Sequence, residues 1–318
     1  MTATTAAQGD RSVALAGVAG HDAAASRSGR RRRDNLVGWG FVAPFLVFFV
    51  LFLIWPILFG IYLSFTDQSL AGTGGNLVGF ANYAEALSDP IMWRSFGNTV
   101  WFTVVSTVPL VLIALIMALL VDQGLPGQWL WRLSFFMPFL LASTVASQIW
   151  VWIYNPQLGI ANAVIGALGM EPVAWLQDAD TALYAIIVQT VWWTIGFNFL
   201  LYLAALQNIP PQHYEAASID GAGKWRQLWS ITLPQLGPTT VLIVILQILA
   251  SLKLFDQVYQ MLGGVSSPTT RSVVLYIFES GFTGYRFGYS AAISYVFFAI
   301  IIIISVAQYP ITRRRRAS

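Results

Sequence analysis

Apolar residues fall in six long, nearly unbroken runs, at 37–62, 99–121, 133–153, 183–206, 236–254 and 293–309. Each is close to the ~20 residues that carry a helix across ~30 Å of hydrocarbon. Barrel strands would alternate apolar and polar positions over about ten residues, and no such alternation occurs. With no water in the bilayer core, backbone groups must pair within each segment. The pattern therefore predicts an all-α integral membrane protein with six transmembrane helices in one domain over 35–312. Pro44 and Pro56 predict bends in the first span. That span follows basic residues, as a signal peptide does. It is too long for one, and no small-residue cleavage site follows, so it is expected to be retained. Residues 1–34 carry no periodicity and are expected to form a disordered cytoplasmic tail. A second basic tail is expected over 313–318.

Composition agrees. Hydrophobic residues make up 57% of the 318 and charged residues 10%, against about 25% charged in soluble domains. Cysteine is absent, which excludes disulfides, thiol catalysis and cysteine-bound metal. The histidines are His21 and His213 alone, too few for a histidine-based metal site. A net charge of +3 conceals two arginine clusters, at 30–33 and 313–316. Beside membrane spans such clusters anchor the cytoplasmic side and do not indicate nucleic acid. Six spans place both termini together, with Arg132, Lys224 and Arg226. Arg94, Arg271 and Arg286 fall opposite, with Glu171, Asp178 and Asp180. The expectation is a multi-pass protein of the bacterial plasma membrane, surrounded by lipid, with both termini cytoplasmic.

Three connections are too long for turns. Those at 67–98 and 154–182 lie outside, and 160–168 predicts a short interfacial helix. The third, 207–235, is cytoplasmic. Pro210 and Pro211 end the fourth span and can open a helix, since proline's missing N–H is harmless in a first turn. Glu215 is placed toward the positive end of that helix. Ala216 and Ala217 are small enough for another surface to approach closely. Gly221 and Gly223 allow a sharp turn. Trp225, Leu228 and Trp229 give a second helix an apolar face, and Pro234 is expected to end it before the fifth span.

Glu215-Ala216-Ala217, Gly221, Ile231 and Leu233-Pro234 resemble, position for position, the coupling motif of bacterial ABC-importer permeases. Other stretches resemble the maltose-type carbohydrate branch of that family. They are Asn76 to Tyr83, Tyr154 to Asn162, Tyr202 to Pro210 and Phe255 to Tyr259, so the likeness spans about 37–312. Two departures stand out: Met261-Leu262-Gly263-Gly264-Val265 replaces the usual glycine-rich turn, and the maltose subunit's additional spans and large outside domain are missing. The resemblance implies a type I importer permease fold with a cytoplasmic coupling helix. It also implies alternating access for a carbohydrate or related solute. Glu215, Ala216, Ala217, Asp220 and Gly221 would meet an ATPase. The implied partners are a second, homologous permease, two cytoplasmic ATPase subunits and an extracytoplasmic binding protein. ATP and magnesium would belong to those ATPase subunits, with no cofactor in this chain.

A sugar needs hydrogen-bonding groups and flat apolar faces, and transporter sites lie near the midplane. The fourth span offers Thr190, Trp192, Trp193, Thr194, Phe197 and Asn198; the fifth offers Gln247, Ser251 and Lys253. Alignment on the coupling motif places the maltose-type substrate positions at Thr190, Thr194, Phe197, Ala250, Ser251 and Leu254. The expected substrate set is thus Thr190, Trp193, Thr194, Phe197, Asn198, Gln247, Ser251 and Leu254. Helix packing through small and hydroxyl residues is the alternative reading. Lys253 and Asp256 are the charges read nearest a span, as an interfacial pair or, alternatively, a proton relay.

Gly223-Lys224 does not complete a phosphate loop, which needs glycine five residues earlier and Ser or Thr next. Ser218 and Trp225 stand there, so no ATP hydrolysis is expected of this chain. An ion-gradient-driven secondary transporter is the competing function. It would place acids or histidines inside spans, and five of the six have none. A polytopic membrane enzyme would need an acid, base or metal constellation, which is not found.

Overall fold

The computed structural model describes residues 39–124 and 126–314. The expected tail over 1–34, its arginines at 30–33, and Arg315 and Arg316 lie outside the described residues. Helices account for nearly all of the fold, and among the described residues the one β-contact is an isolated bridge between Thr66 and Leu77.

The chain separates into two units, divided after Tyr62. The first is occupied by the helix α1 (Trp39–Ser64). Pro56 can neither donate to the carbonyl four residues back nor leave room for it. The helix widens into a π-turn over Val50–Ile54, where the Trp55 amide reaches back to the Val50 carbonyl.

The second unit contains α2 (Ala81–Ser88), α3 (Pro90–Asp122), α4 (Gln128–Leu140), α5 (Ser143–Ile153) and α6 (Ile160–Ala167). It continues with α7 (Ala182–Gln207), α8 (Pro211–Ile219), α9 (Lys224–Ser251), α10 (Asp256–Met261), α11 (Val273–Thr283) and α12 (Phe287–Arg314). Among the described residues, five helices are long and apolar enough to span a membrane, and counting the bent α4–α5 pair as one span gives six.

Several boundaries correct the sequence reading. The expected loop 67–98 is half helical. Asp89 caps α3 by accepting from the Ile91 amide at 2.8 Å, and Pro90 stands in the first turn, so α3 begins nine residues before the apolar run. Its 33 residues span about 50 Å at ~1.5 Å per residue, well beyond the hydrocarbon. Charges therefore ride on the helices: Arg94 and Asp122 sit on α3 and Arg132 on α4, while Lys253 lies in the turn just past α9. The third span is not straight. α4 and α5 meet at 97° around Leu141 and Ala142. The carbonyl of Leu141, freed by the break, accepts from Trp193 Nε1 at 3.1 Å, as membrane burial of backbone requires. The break packs against α7 at Gly196. A Cβ there would stand 2.2 Å from the Phe135 carbonyl oxygen, so only glycine permits this approach.

Pro234 does not end a helix. α9 runs from Lys224 into the fifth span, and a π-turn over Leu228–Thr232 absorbs the proline. The core sits mainly between α3 and α7. Ala114 and Ala118, one turn apart on α3, are fully buried in a cluster with Phe199 and Tyr202 of α7, the small-against-large packing typical of membrane helices.

Candidate functional site

Apart from Pro234, loop 207–235 folds as its sequence predicts, with two further changes. Pro210 precedes α8 and Pro211 opens it. Glu215 is the fifth of nine residues, in mid-helix and not in the first turn. At the far end Gly221 takes a left-handed φ of 78°. The Ala222 amide then reaches the Ala217 carbonyl at 2.8 Å and the Gly221 amide reaches that of Ser218 at 3.1 Å, closing the helix end. A Cβ on Gly221 would meet nothing within 4 Å, so its requirement is conformational. Gly223, at φ −68°, is an ordinary cap for α9 and does not share that role.

Side chains hold α8 onto α9. Gln227 Nε2 donates to Ser218 Oγ at 2.9 Å and to the Ala222 carbonyl at 3.0 Å. Tyr214 and Thr232 share a hydroxyl hydrogen bond of 3.0 Å, and Gln235 pairs with His213 at 2.8 Å. The outward face is thereby fixed. Glu215, Ala216, Asp220 and Gly221 are exposed and Ala217 is half-buried. Ile219 is 87% exposed and Trp225 73%. Ile219 was not singled out from the sequence; its signal is an apolar residue directly before an Asp-Gly turn.

Near the middle of the spans, Thr190, Thr194 and Phe197 share one face of α7, as i, i+4 and i+7 spacing requires. Trp193 flanks that face, and Phe139 from the α4–α5 break stacks on Phe197 with ring centres 5.2 Å apart. Of the expected substrate set, only Trp193, Thr194 and Phe197 are partly exposed. Thr190, Asn198, Gln247, Ser251 and Leu254 are buried within this chain, because α7, α9 and α10 pack on that side. Gln247 Nε2 donates to Asn198 Oδ1 at 2.8 Å, joining α9 to α7. Thr190 and Thr194 donate to carbonyls one turn back, at 2.9 and 2.7 Å. Leu254 lies in an apolar cluster with Ile186 and Val258. Lys253 and Asp256 are exposed and form no ion pair with each other among the described residues.

At the opposite end from loop 207–235, the connections are braced by acids. Asp89 accepts from the hydroxyls of Tyr276 and Tyr289 at 2.5 and 2.6 Å. Burial pushes the Asp89 carboxyl up, but these bonds and the Ile91 amide together hold it below its ordinary value. Arg286 pairs with Glu85 at 2.6 Å and Arg271 with Glu279 at 2.7 Å. Asp67 accepts from the Gly75 and Asn76 amides, each at 2.7 Å. The Asn76 side chain, with those amides, holds its carboxyl below the usual range.

Among the described residues no group of acids and histidines could hold a metal ion. The geometry is that of a helical membrane body with a rigid, outward-facing loop at one end. The pattern of the family described as "binding-protein-dependent transport system inner membrane component" matches residues 92–317. The sulfoquinovosyl glycerol transport system permease protein SmoG of Agrobacterium fabrum is 33% identical over 283 residues, covering 89% of this chain and 92% of its own. The lactose transport system permease protein LacF of Rhizobium radiobacter is 34% identical over 305 residues, covering 92% of this chain and all of its own. The fold matches a chain in the crystal structure of a bacterial alginate ABC transporter in complex with an alginate pentasaccharide-bound periplasmic protein. There the TM-score is 0.75 at 21% identity, covering 89% of this chain and 96% of that one. These likenesses set aside both the ion-gradient transporter and the membrane enzyme. The chain belongs to the binding-protein-dependent inner membrane components, the permease subunits of ABC importers, and has the type I permease fold.

Proposed function

We propose that this chain is one of two permease subunits of an ATP-driven importer for a carbohydrate, in which loop 207–235 receives the stroke of the ATPases. The observation that carries this reading is the loop itself. Its motif residues Glu215, Ala216, Asp220 and Gly221 face outward on a helix fixed by three sets of side-chain bonds. A segment that only connected two spans would have no use for an 87% exposed Ile219.

The partners are a second, homologous permease, two ATPase subunits that bring ATP and magnesium, and an extracytoplasmic binding protein that delivers the solute. ATP-driven closure moves α8, the spans follow, and the pathway alternates between the two faces. Both termini and loop 207–235 are cytoplasmic. The permease domain is 35–312, between basic tails at 1–34 and 313–318. Support for a carbohydrate comes from relatives named for sulfoquinovosyl glycerol and lactose, and from the alginate importer. Trp193, Thr194 and Phe197 present an aromatic and hydroxyl surface to the pathway. Thr190, Asn198, Gln247, Ser251 and Leu254 stand behind it and join it when the spans move.

The test is ATPase activity of the assembled transporter in lipid discs, with the binding protein and a panel of sugars. One loaded binding protein is expected to stimulate hydrolysis. Gly221→Asp forces a side chain into a left-handed φ and adds charge beside Asp220. It is expected to lower that stimulation by roughly 5–150-fold, the usual scale of coupling between sites. Undiminished stimulation in the variant would remove the coupling role from this loop.

A further inference from the structure

At the coupling-loop end, α3, α7 and α9 border a cavity of about 530 Å3 with two chemically distinct walls. Ile116, Leu119 and Leu120 form the membrane side. They lie at i, i+3 and i+4 and so make one stripe. The stripe continues a turn deeper into the bilayer through Leu112 and Ile113; Ile116 and Leu120 are 55% and 53% exposed. The other wall carries Asp122, Gln123 and Lys224.

Asp122 and Lys224 bear opposite charges on one cavity, yet they do not pair. The ion pairs among the described residues are Arg271 with Glu279 and Arg286 with Glu85. Arg132 attracts Asp122 electrostatically without forming an ion pair with it. Of the other polar groups, Tyr214 is bonded to Thr232, and Gln227 to Ser218 and Ala222. Trp225, 73% exposed, stands at the rim, where indole favours the headgroup level of a membrane.

We propose that this cavity binds a phospholipid with a phosphoethanolamine headgroup. The phosphate meets the Lys224 ammonium, the lipid ammonium meets the Asp122 carboxylate, and one acyl chain follows the stripe from Leu120 towards Leu112. A free phosphate or a sugar would leave the leucine stripe unused. An anionic lipid would satisfy Lys224 and leave Asp122 facing negative charge. A choline headgroup carries the same charges but has no N–H to donate to Asp122. The site depends on the membrane setting of these helices and not on an ATPase docking at α8.

The test is lipid retention by the purified assembled transporter, read by native mass spectrometry. The protein is delipidated and then exposed to equimolar palmitoyl-oleoyl phosphatidylethanolamine, phosphatidylglycerol and phosphatidylcholine. Phosphatidylethanolamine is expected to be enriched roughly tenfold, the effect of one charge-assisted hydrogen bond. Asp122→Asn should abolish that preference over phosphatidylglycerol, and Lys224→Ala should lower retention of both. The lipid preference is a ratio within one sample, so poor folding cannot imitate its loss, and the Lys224→Ala arm is read only on assembled transporter that elutes as the unaltered protein does. Equal retention of the three lipids by the unaltered protein would overturn the proposal. So would a preference that survives both substitutions.

Discussion

Loop 207–235 and the middle of the spans differ in where they put their polar groups. In loop 207–235 the motif residues face outward and the bonds lie beneath them, on Ser218, Gln227, Tyr214 and Thr232. At mid-span the order reverses: Asn198 and Gln247 are sealed inside and bonded to each other, while Trp193 and Phe197 show at the surface. An exposed carboxylate is solvated by water and needs no protein partner. Away from water an amide gains from one, as Gln247 does from Asn198 Oδ1, although Asn198 Nδ2 and Gln189 Nε2 are buried without one.

The largest test of this contrast is Gly196→Val. A Cβ 2.2 Å from the Phe135 carbonyl oxygen forces α7 off the α4–α5 break. The expected loss is at least the ~1–3 kcal/mol of an overpacked core, read as a lowered unfolding midpoint or as no folded protein. Next is Asn198→Ala, which strands the Gln247 amide. It should destabilise by about 1–3 kcal/mol, and in a double-mutant cycle with Gln247→Ala the double variant should lose less than the sum of the two singles. If the two losses simply add, the buried bond is not what joins α7 to α9. Smaller still is Gln227→Ala, about 0.5–1.5 kcal/mol for a hydrogen bond near solvent. Faster amide exchange confined to 211–222 would show it, whereas change spread into α7 would contradict a local brace.

The smallest effect concerns pH at the opposite end. Asp67 is held below its ordinary 3.8 chiefly by Asn76. A depressed carboxylate stabilises above its unfolded value, and that contribution disappears as pH falls through the lower folded value. Amide protection over 67–76 should therefore be steady above about pH 4 and decline below it. In Asp67→Ala it should be weaker and no longer follow pH in that window.

Where sequence and structure agree, local rules decide. Six apolar runs of span length correspond to five span-length helices and the bent α4–α5 pair, and Pro210-Pro211 with Gly221 delimit α8 within a residue or two. Where they part, tertiary contact decides. The right angle at Leu141–Ala142 is invisible to hydropathy because the apolar run 133–153 passes through it without a break. Gly196 looks like any glycine in a span until Phe135 arrives from 61 positions earlier in the chain. The early start of α3 was legible in Asp89-Pro90, a cap followed by a first-turn proline, but long apolar stretches draw the eye past it. Among the proposed substrate residues, the family resemblance singles out Thr190, Thr194 and Phe197, and helical spacing puts them on one face. It could not show that Leu254 and Ser251 would be covered by this chain's own helices.

The uninterrupted course of α9 has a mechanical meaning. From Trp225 to Gln247 there is no hinge loop, only 22 steps of helix, about 33 Å at ~1.5 Å each. Such a rod transmits tilt as displacement: a swing of about 5° at the loop end carries Gln247 sideways by about 3 Å. That is enough to part an amide pair closed at 2.8 Å. The π-turn over Leu228–Thr232 and Pro238 set the compliance of this lever, and stiffening either would change how far the far end travels for a given push.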